Sequence, residues 1–325
     1  MKKKILILSL VIFIALLYLN NTTHLAEPIR SEAVLLAHRG LAQDFNREGL
    51  THETCTAARM VSTGHSFLEN TIPSMRQAFE LGADVVEFDI HKTIDNRFAV
   101  FHDWTLDCRT EASGITHTFT LDSLKQLDIG YGYTADGGQT YPFRGTGIGM
   151  IPSLEAVLDS FPGKEFLIDI KSQIPSHGAL LADHLAELPE KRQKQIMVYG
   201  GGNAVSEIRE QLPNVQTIWP RRLKQCLIKY AVLGWTGYVP ASCERSVITV
   251  PANYAHWLWG WPSRFLQRME TAGSRVFVIG DYHSEGHSTG FDDPDRLSEL
   301  SENYSGGIWT DRIDLIGPTV KNYAR

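Results

Sequence analysis

The sequence predicts an α/β chain folded as a (β/α)8 (TIM) barrel, irregular in its second and third units, behind an N-terminal transmembrane or signal segment. Three observations carry that expectation. Runs rich in β-branched and aromatic residues alternate with helical patterns over about 280 residues, close to the ~250 typical of such barrels. Several of these runs end in titratable or charged residues, and a barrel presents its chemistry at the C-terminal ends of its strands. The composition, 43% hydrophobic and 21% charged over 325 residues, is enough to bury a core unaided.

Lys2-Lys3-Lys4 opens the chain, and Ile5 to Leu19 follows without a charge. That run is somewhat shorter than the roughly 20 residues that span a bilayer comfortably. No good A-x-A site follows, since His24-Leu25-Ala26 places a bulky residue where a small one is needed. The segment is therefore expected to be an uncleaved signal anchor, with the lysines in the cytoplasm and the remaining chain in the periplasm or at the cell surface. Cleavage would make the protein secreted. The expected division is 1–20 for this segment, 21–32 for a polar linker and 33–325 for the barrel domain.

Val34 to Ala37 reads as a buried strand ending at His38-Arg39-Gly40. Leu41 to Leu68 is a long segment of weak periodicity, carrying His52, Cys55 and His65, and loops of that length usually serve a purpose. Asn70 or Thr71 caps a helix with Pro73 in its first turn and Gly82 at its end. Val85 to Ile90 is a strand on which Glu87 and Asp89 share a face by period two. Phe98 to Phe101 is a second apolar run ending in His102-Asp103. The interval between the two is too short for a helical crossover, so this unit is expected to be irregular. Thr120 to Leu124 reads as a short helix and Tyr131 to Gly149 as a loop. A helix opens at Pro152-Ser153-Leu154-Glu155, before the strand Phe166–Lys171, on which Asp169 and Lys171 share a face. Ile196–Tyr199, Val215–Ile218, Val247–Val250, Arg275–Ile279 and Gly307–Thr310 complete nine candidate strands for eight places, so one lies outside the barrel or is not a strand.

The strand ends deliver His38 and Arg39, Glu87 and Asp89, His102, then Asp169 and Lys171. Two buried carboxylates on one face repel unless a cation or shared proton intervenes. Three carboxylates can hold one hard cation, Mg²⁺ or Ca²⁺. Arg39 and Lys171 can grip a phosphate, and two imidazoles can move protons in opposite senses. This is an inventory for cleaving a phosphodiester. The net charge of −6 gives no reason to expect a nucleic-acid partner.

These same residues resemble a known family. His38-Arg39-Gly40, Glu69-Asn70-Thr71, Gly82-Ala83-Asp84 through Glu87-Phe88-Asp89, and His102-Asp103 look like the serial motifs of the glycerophosphodiester phosphodiesterases. Pro152 to Glu155, Ile168 to Lys171 and Trp309-Thr310-Asp311 continue the match. The resemblance implies a TIM barrel related to the phosphatidylinositol-phospholipase-C-like phosphodiesterases. It implies Glu87, Asp89 and Asp169 as ligands of one divalent cation and His38 and His102 as the acid–base pair. Arg39 and Lys171 would contact phosphate, with Glu69 and Asn70 in support. The implied reaction is metal-dependent hydrolysis of a glycerophosphodiester to glycerol 3-phosphate and an alcohol. A phospholipase D-like or lysophospholipid phosphodiesterase activity on the same barrel is the alternative. A metal-independent glycosidase or a non-catalytic binding barrel ranks below both. Three departures stand out: Asp169 where that family usually has Glu, the long segment between Gly40 and Glu69, and the absence of the usual Trp in Val276 to Asp281.

Export would permit disulfides. Four cysteines allow three pairings, and no C-x-x-C spacing points to zinc. Cys55 and Cys108 both follow barrel strands on the face of the expected site, so a Cys55–Cys108 bond is expected to pin the long segment, with Cys226–Cys243 as the second; buried free thiols are the alternative. His91 is assigned to structure, and His52 and His65 to the surface. Gly145 to Gly149 resembles a dinucleotide fingerprint only weakly. Gly200-Gly201-Gly202 is read as a plain turn with a smaller chance of a phosphate approach. Trp257, Trp259 and Trp261 alternate, and either line the pocket mouth or form a structural cluster.

Overall fold

The computed structural model describes residues 2–51, 54–282, 289–301 and 304–323; His52 lies outside them. Among the described residues nine strands form one sheet: β1 Val34–Ala37, β2 Val85–Lys92, β3 Phe98–Val100, β4 Glu165–Ile170, β5 Ile196–Gly200, β6 Gln216–Ile218, β7 Val247–Pro251, β8 Arg275–Ile279 and β9 Gly307–Thr310. Eight run parallel in the order β6-β5-β4-β2-β1-β9-β8-β7. A single parallel bridge, Thr217 to Ser246, joins the two ends, so the (β/α)8 barrel is nearly closed.

The ninth strand explains the surplus. β3 pairs antiparallel with β2, Ile90 opposite Val100 and Lys92 opposite Phe98, and stays off the barrel. A short turn can close a hairpin but not a parallel crossover. The irregular unit is thus a hairpin, and the barrel resumes with β4 beside β2.

Leu36, Val85, Leu167, Met197, Ile218, Val247 and Phe277 fill the barrel interior. Val85 points inward, so by period two Glu87 and Asp89 do as well. The alternate residues, Val86, Phe88, Ile90, Phe166 and Ile168 among them, pack outward against the helices. Helix Ile72–Leu81 shows how the sequence sets its boundaries. The Thr71 hydroxyl accepts from the Ser74 N–H, the Ser74 hydroxyl accepts from the Thr71 N–H, and Gly82 closes the helix at φ +111°.

A second cluster lies over the catalytic end. Residues 55–68 and 99–151 bury Met60, Leu68, Phe101, Leu106, Tyr133 and Phe143 together. The Cys55–Cys108 disulfide joins these two stretches, and Cys226–Cys243 ties helix Pro220–Leu233 to the turn before β7.

Helix Lys2–Asn21 stands apart from the barrel with no buried residue and a mean hydropathy of 2.0. At 1.5 Å per residue it is about 30 Å long, enough to cross a membrane. Its last turn is fastened to the barrel. The Asn20 and Asn21 amides donate to the Trp235 carbonyl at 3.0 and 2.8 Å, and Arg268 donates to the Asn21 side chain and the Asn20 carbonyl at 3.1 and 2.7 Å. Phe13 meets Trp235 edge-on at 6.2 Å.

Candidate active site

Strand register brings the carboxylates together. Asp89 on β2 lies opposite Asp169 on β4, and Asp169 opposite Tyr199 on β5, so the three form one row facing inward. Glu87 stands one step below. One oxygen from each of Glu87, Asp89 and Asp169 falls within 4.8 Å of the others, and all three residues are buried. Gly200 makes room for the row, because a Cβ there would sit 2.3 Å from Asp169 Oδ1 and 2.4 Å from the Ile170 carbonyl. Of the triple glycine, Gly200 alone meets this row; a Cβ on Gly201 would meet the Ser172 carbonyl and one on Gly202 the Trp219 ring.

Arg39 and Lys171 lie among these acids. Lys171 Nζ is 2.7 Å from Asp89 Oδ1 and 2.5 Å from Asp169 Oδ2. Arg39 Nε is 3.3 Å from Asp89 Oδ2, its Nη1 donates to Glu69 Oε1 at 3.0 Å, and its backbone N–H donates to Glu87 Oε2 at 2.9 Å. The backbone is bent to allow this: Arg39 and Asn70 sit at φ +57° and +60°. The Asn70 amide donates to Asp89 Oδ2 at 2.8 Å, and its oxygen accepts from the Asp89 N–H at 3.0 Å. The Tyr199 hydroxyl donates to Glu87 Oε1 at 2.7 Å.

The electrostatics follow from crowding. Burial first, then the Asp89 charge, raises the Glu87 carboxyl above its ordinary range. Burial would raise Asp89 too, but Lys171 and Arg39 hold it well below. Burial raises Asp169 despite Lys171. Three acids on one point thus lack enough positive charge between them. Asp89 Oδ1 is fully buried and has no well-aligned hydrogen bond, although Lys171 is close. An all-oxygen set with such an atom fits a hard divalent cation.

Each imidazole has its own carboxylate. His38 Nδ1 is 2.6 Å from Asp311 Oδ1, and its Nε2 is 3.7 Å from Glu87 Oε2. His102 Nδ1 is 2.6 Å from Asp103 Oδ1. An arginine, half-buried Arg47 or buried Arg109, holds each carboxylate in turn. Arg47, from the long segment, donates to Asp311 Oδ2 at 3.2 Å, and Arg109 Nε is 3.2 Å from Asp103 Oδ2. Arg109 also donates to Glu69 at 3.1 Å. Burial drives His102 down to about 4, with Arg39 and Lys171 adding to it. Burial also opposes charge on His38, but Glu87, with Asp311 against Arg39, lifts it above its usual value.

Tyr199, Arg47 and Arg109 were not singled out by the sequence reading, and Asp103 and Asp311 entered only as parts of motifs. Parity could have flagged Tyr199 once β4 and β5 were aligned. Arg47 and Arg109 carry no local signal for the site, because Asp311 and Glu69, which they reach, are distant in sequence.

A cavity of about 300 Å³ is lined by His38, Arg39, His102, Trp104 and Lys171, with Gln43, Phe45, Arg47 and Thr54 among the lining residues of the long segment. Other candidates lie elsewhere. His91 is buried, its Nε2 3.2 Å from the His102 carbonyl. His65 is half-buried and bonds Gln43 and the Ala42 carbonyl. The Gly145 to Gly149 turn is closed on Asp128, which accepts from the Gly145 and Gly147 N–H groups at 2.6 and 3.0 Å. Trp261 packs on Phe265 and Tyr304, whereas Trp257 is 67% exposed and lies off the cavity.

Comparison with known proteins agrees with this geometry. Residues 38–191 match the model of the Glycerophosphoryl diester phosphodiesterase family. A glycerophosphodiester phosphodiesterase of Caldanaerobacter subterraneus is 31% identical over 152 residues, which are 46% of this chain and 59% of that protein. The chain thus matches less than two thirds of that relative's length. The glycerophosphoryl diester phosphodiesterase domain of an uncharacterized Mycobacterium tuberculosis protein superposes with a TM-score of 0.60 at 14% identity, covering 90% of this chain and 99% of that one. An Oleispira antarctica phosphodiesterase, solved in complex with the product sn-glycerol-3-phosphate, gives a TM-score of 0.53 at 16% identity, with 89% and 97% covered. These likenesses show the same fold, and residues 38–191 match the model of the glycerophosphoryl diester phosphodiesterase family.

Proposed function

We propose that the barrel, residues 33–325, hydrolyses a glycerophosphodiester to glycerol 3-phosphate and an alcohol. The observation that carries this is the convergence of Glu87, Asp89 and Asp169 beside Arg39 and Lys171, which line one cavity together with His38 and His102. The family match and the product-bound Oleispira relative support the substrate class. Glu87, Asp89 and Asp169 would hold one Mg²⁺ or Ca²⁺, which neutralises charge developing on the phosphoryl oxygens. The shorter Asp169 still reaches the shared point, within 4.8 Å of the other two. Arg39 and Lys171 grip the non-bridging oxygens. One imidazole takes the proton of the attacking water, or of a glycerol hydroxyl whose attack leaves a cyclic phosphate that water then opens, and the other protonates the departing oxygen. Asp311 and Asp103 hold the two Nδ1–H groups, which leaves each Nε2 for the substrate. Asn70 and Glu69 fix Asp89 and Arg39 in place.

We further propose that helix Lys2–Asn21 anchors the chain in a membrane with the barrel outside the cytoplasm. Its length and apolarity, the three lysines that open it and two disulfides support this reading. A lysophospholipid substrate is the second reading, favoured by that same helix, which would keep the cavity near lipid.

One assay tests the main reading: release of glycerol 3-phosphate from glycerophosphocholine, with and without EDTA. Loss on chelation, and in His38→Ala and His102→Ala, is expected. Full activity in both variants would overturn the acid–base assignment.

A further inference from the structure

One stretch in the second half of the chain is chemically unlike the rest. Residues 220–269 hold seven Lys or Arg and one acid, Glu244, a net charge of +6 in a chain whose total is −6. Five of the seven tryptophans fall between Trp219 and Trp261. Two of them pack inside. The others surface with apolar neighbours: Ile228 is 55% exposed, Val232 64%, Trp235 38% and Trp257 67%. Water-facing aromatic and aliphatic side chains beside lysines are the composition of a surface that lies in a lipid headgroup layer.

Contacts make these residues one face. Trp259 Nε1 donates to the Ala231 carbonyl at 2.9 Å, and the Tyr230 hydroxyl donates to the Trp259 carbonyl at 2.9 Å, so helix Pro220–Leu233 and the loop after β7 are tied together. Lys224 and Lys229 are exposed on that helix. The face is continuous with the end of helix Lys2–Asn21, since Trp235 is the residue to which Asn20 and Asn21 are fastened. Thr23, just beyond, accepts from the Ser263 N–H at 3.1 Å. The loop after β7 also lies at the C-terminal end of the strands, the end that carries His38, Asp89 and Asp169.

We propose that this face, formed by helix Pro220–Leu233, the turn at Trp235 and the loop carrying Trp257, rests in the headgroup region of a bilayer rich in anionic lipid. The inference rests on the reading of helix Lys2–Asn21 as a membrane anchor. Trp235 and Trp257 enter the interface, Lys224 and Lys229 meet phosphate groups, and the catalytic end of the barrel is held at the lipid surface.

The test uses the full chain in phosphatidylglycerol-containing vesicles. Its four cysteines are bonded in two pairs, so Trp257→Cys, Val232→Cys and, as a control at the opposite end of the barrel, Lys194→Cys can each be labelled selectively with a fluorophore. Headgroup-region nitroxide lipids are expected to quench the labels at 257 and 232 at least about twofold more than the label at 194. Lys224→Glu with Lys229→Glu should weaken that quenching. A chain that floats with the vesicles while all three labels are quenched alike would overturn the proposal and leave the anchor standing. A chain that does not float would overturn both. Changes at 257 and 232 that follow protein density and ignore the lipid would assign the face to a second copy, and would also overturn it.

Discussion

Asp311→Asn isolates the role of the carboxylate behind His38. Asp311 Oδ1 lies 2.6 Å from His38 Nδ1, while Oδ2 accepts from Arg47 at 3.2 Å and from the Gly290 N–H at 3.3 Å. Both oxygens are in use, and an amide has only one. If that oxygen faces His38, the amide NH2 meets the Arg47 guanidinium donor to donor. If it faces Arg47, the NH2 confronts the imidazole Nδ1–H. Either way one buried donor loses its acceptor, and a charge-assisted hydrogen bond of this kind contributes about 2–3 kcal/mol. If that loss falls wholly on the transition state, kcat drops about 30- to 150-fold. KM should hardly move, because Asp311 reaches the substrate only through His38. The pH profile supplies a second readout. Asp311 and Glu87 both raise His38, so neutralising Asp311 lowers its pKa, and the limb of the kcat profile due to His38 shifts to lower pH. Steady-state release of glycerol 3-phosphate across pH checks both effects. A kcat within about threefold of the parent and an unmoved limb, in a protein that His38→Ala inactivates, would refute the reasoning.

Three other substitutions follow from contacts already described. Gly200→Ala forces a side chain into φ +120° and drives its Cβ against Asp169 Oδ1, so urea unfolding should show a loss of about 2–4 kcal/mol and calorimetry weaker divalent-cation binding. Arg109→Met strips the counter-charge from Asp103 and Glu69, and leaving buried charges unpaired costs about 3–5 kcal/mol. Burial would raise Asp103, but Arg109 and His102 hold it far below its usual value. Its contribution to stability is therefore present above the unfolded pKa of about 4 and lost as pH falls through the folded value. In Arg109→Met the folded value rises toward the unfolded one, so this contribution shrinks and its loss is complete at higher pH in acid-unfolding curves. Serine at both Cys55 and Cys108 opens a closed loop of sequence separation 53, worth about 4 kcal/mol on the chain-entropy account, and a melting temperature equal to the parent's would contradict it.

Much of this architecture is legible in the residues themselves. Helix Ile72–Leu81 announces both ends through Thr71, Pro73 and Gly82, and the barrel strands stand out as β-branched runs between helical patterns. The surplus strand shows where local pattern stops. Phe98 to Val100 is as apolar as any barrel strand, and only the short connection from Lys92 separates a hairpin from a crossover. The site divides in the same way. Glu87 and Asp89 share a face by period two, which any strand provides. That Asp169 joins them, with Tyr199 beside it, depends on the register of three strands, which no single stretch encodes. Arg47 and Arg109 are further removed. Each is one arginine among many until the long segment and the excursion after β3 fold against each other, and the disulfide that joins those stretches connects residues 53 apart.

The joint between helix Lys2–Asn21 and the barrel has a consequence for how the protein meets its substrate. A barrel on a slack tether samples every height and tilt, so any diester within reach would be presented to it. Two asparagines and an arginine clamp this joint to the Trp235 turn and remove that freedom. The depth at which the helix settles then sets the altitude of the cleft, and selection becomes a matter of how far a scissile bond stands above the plane of the lipid.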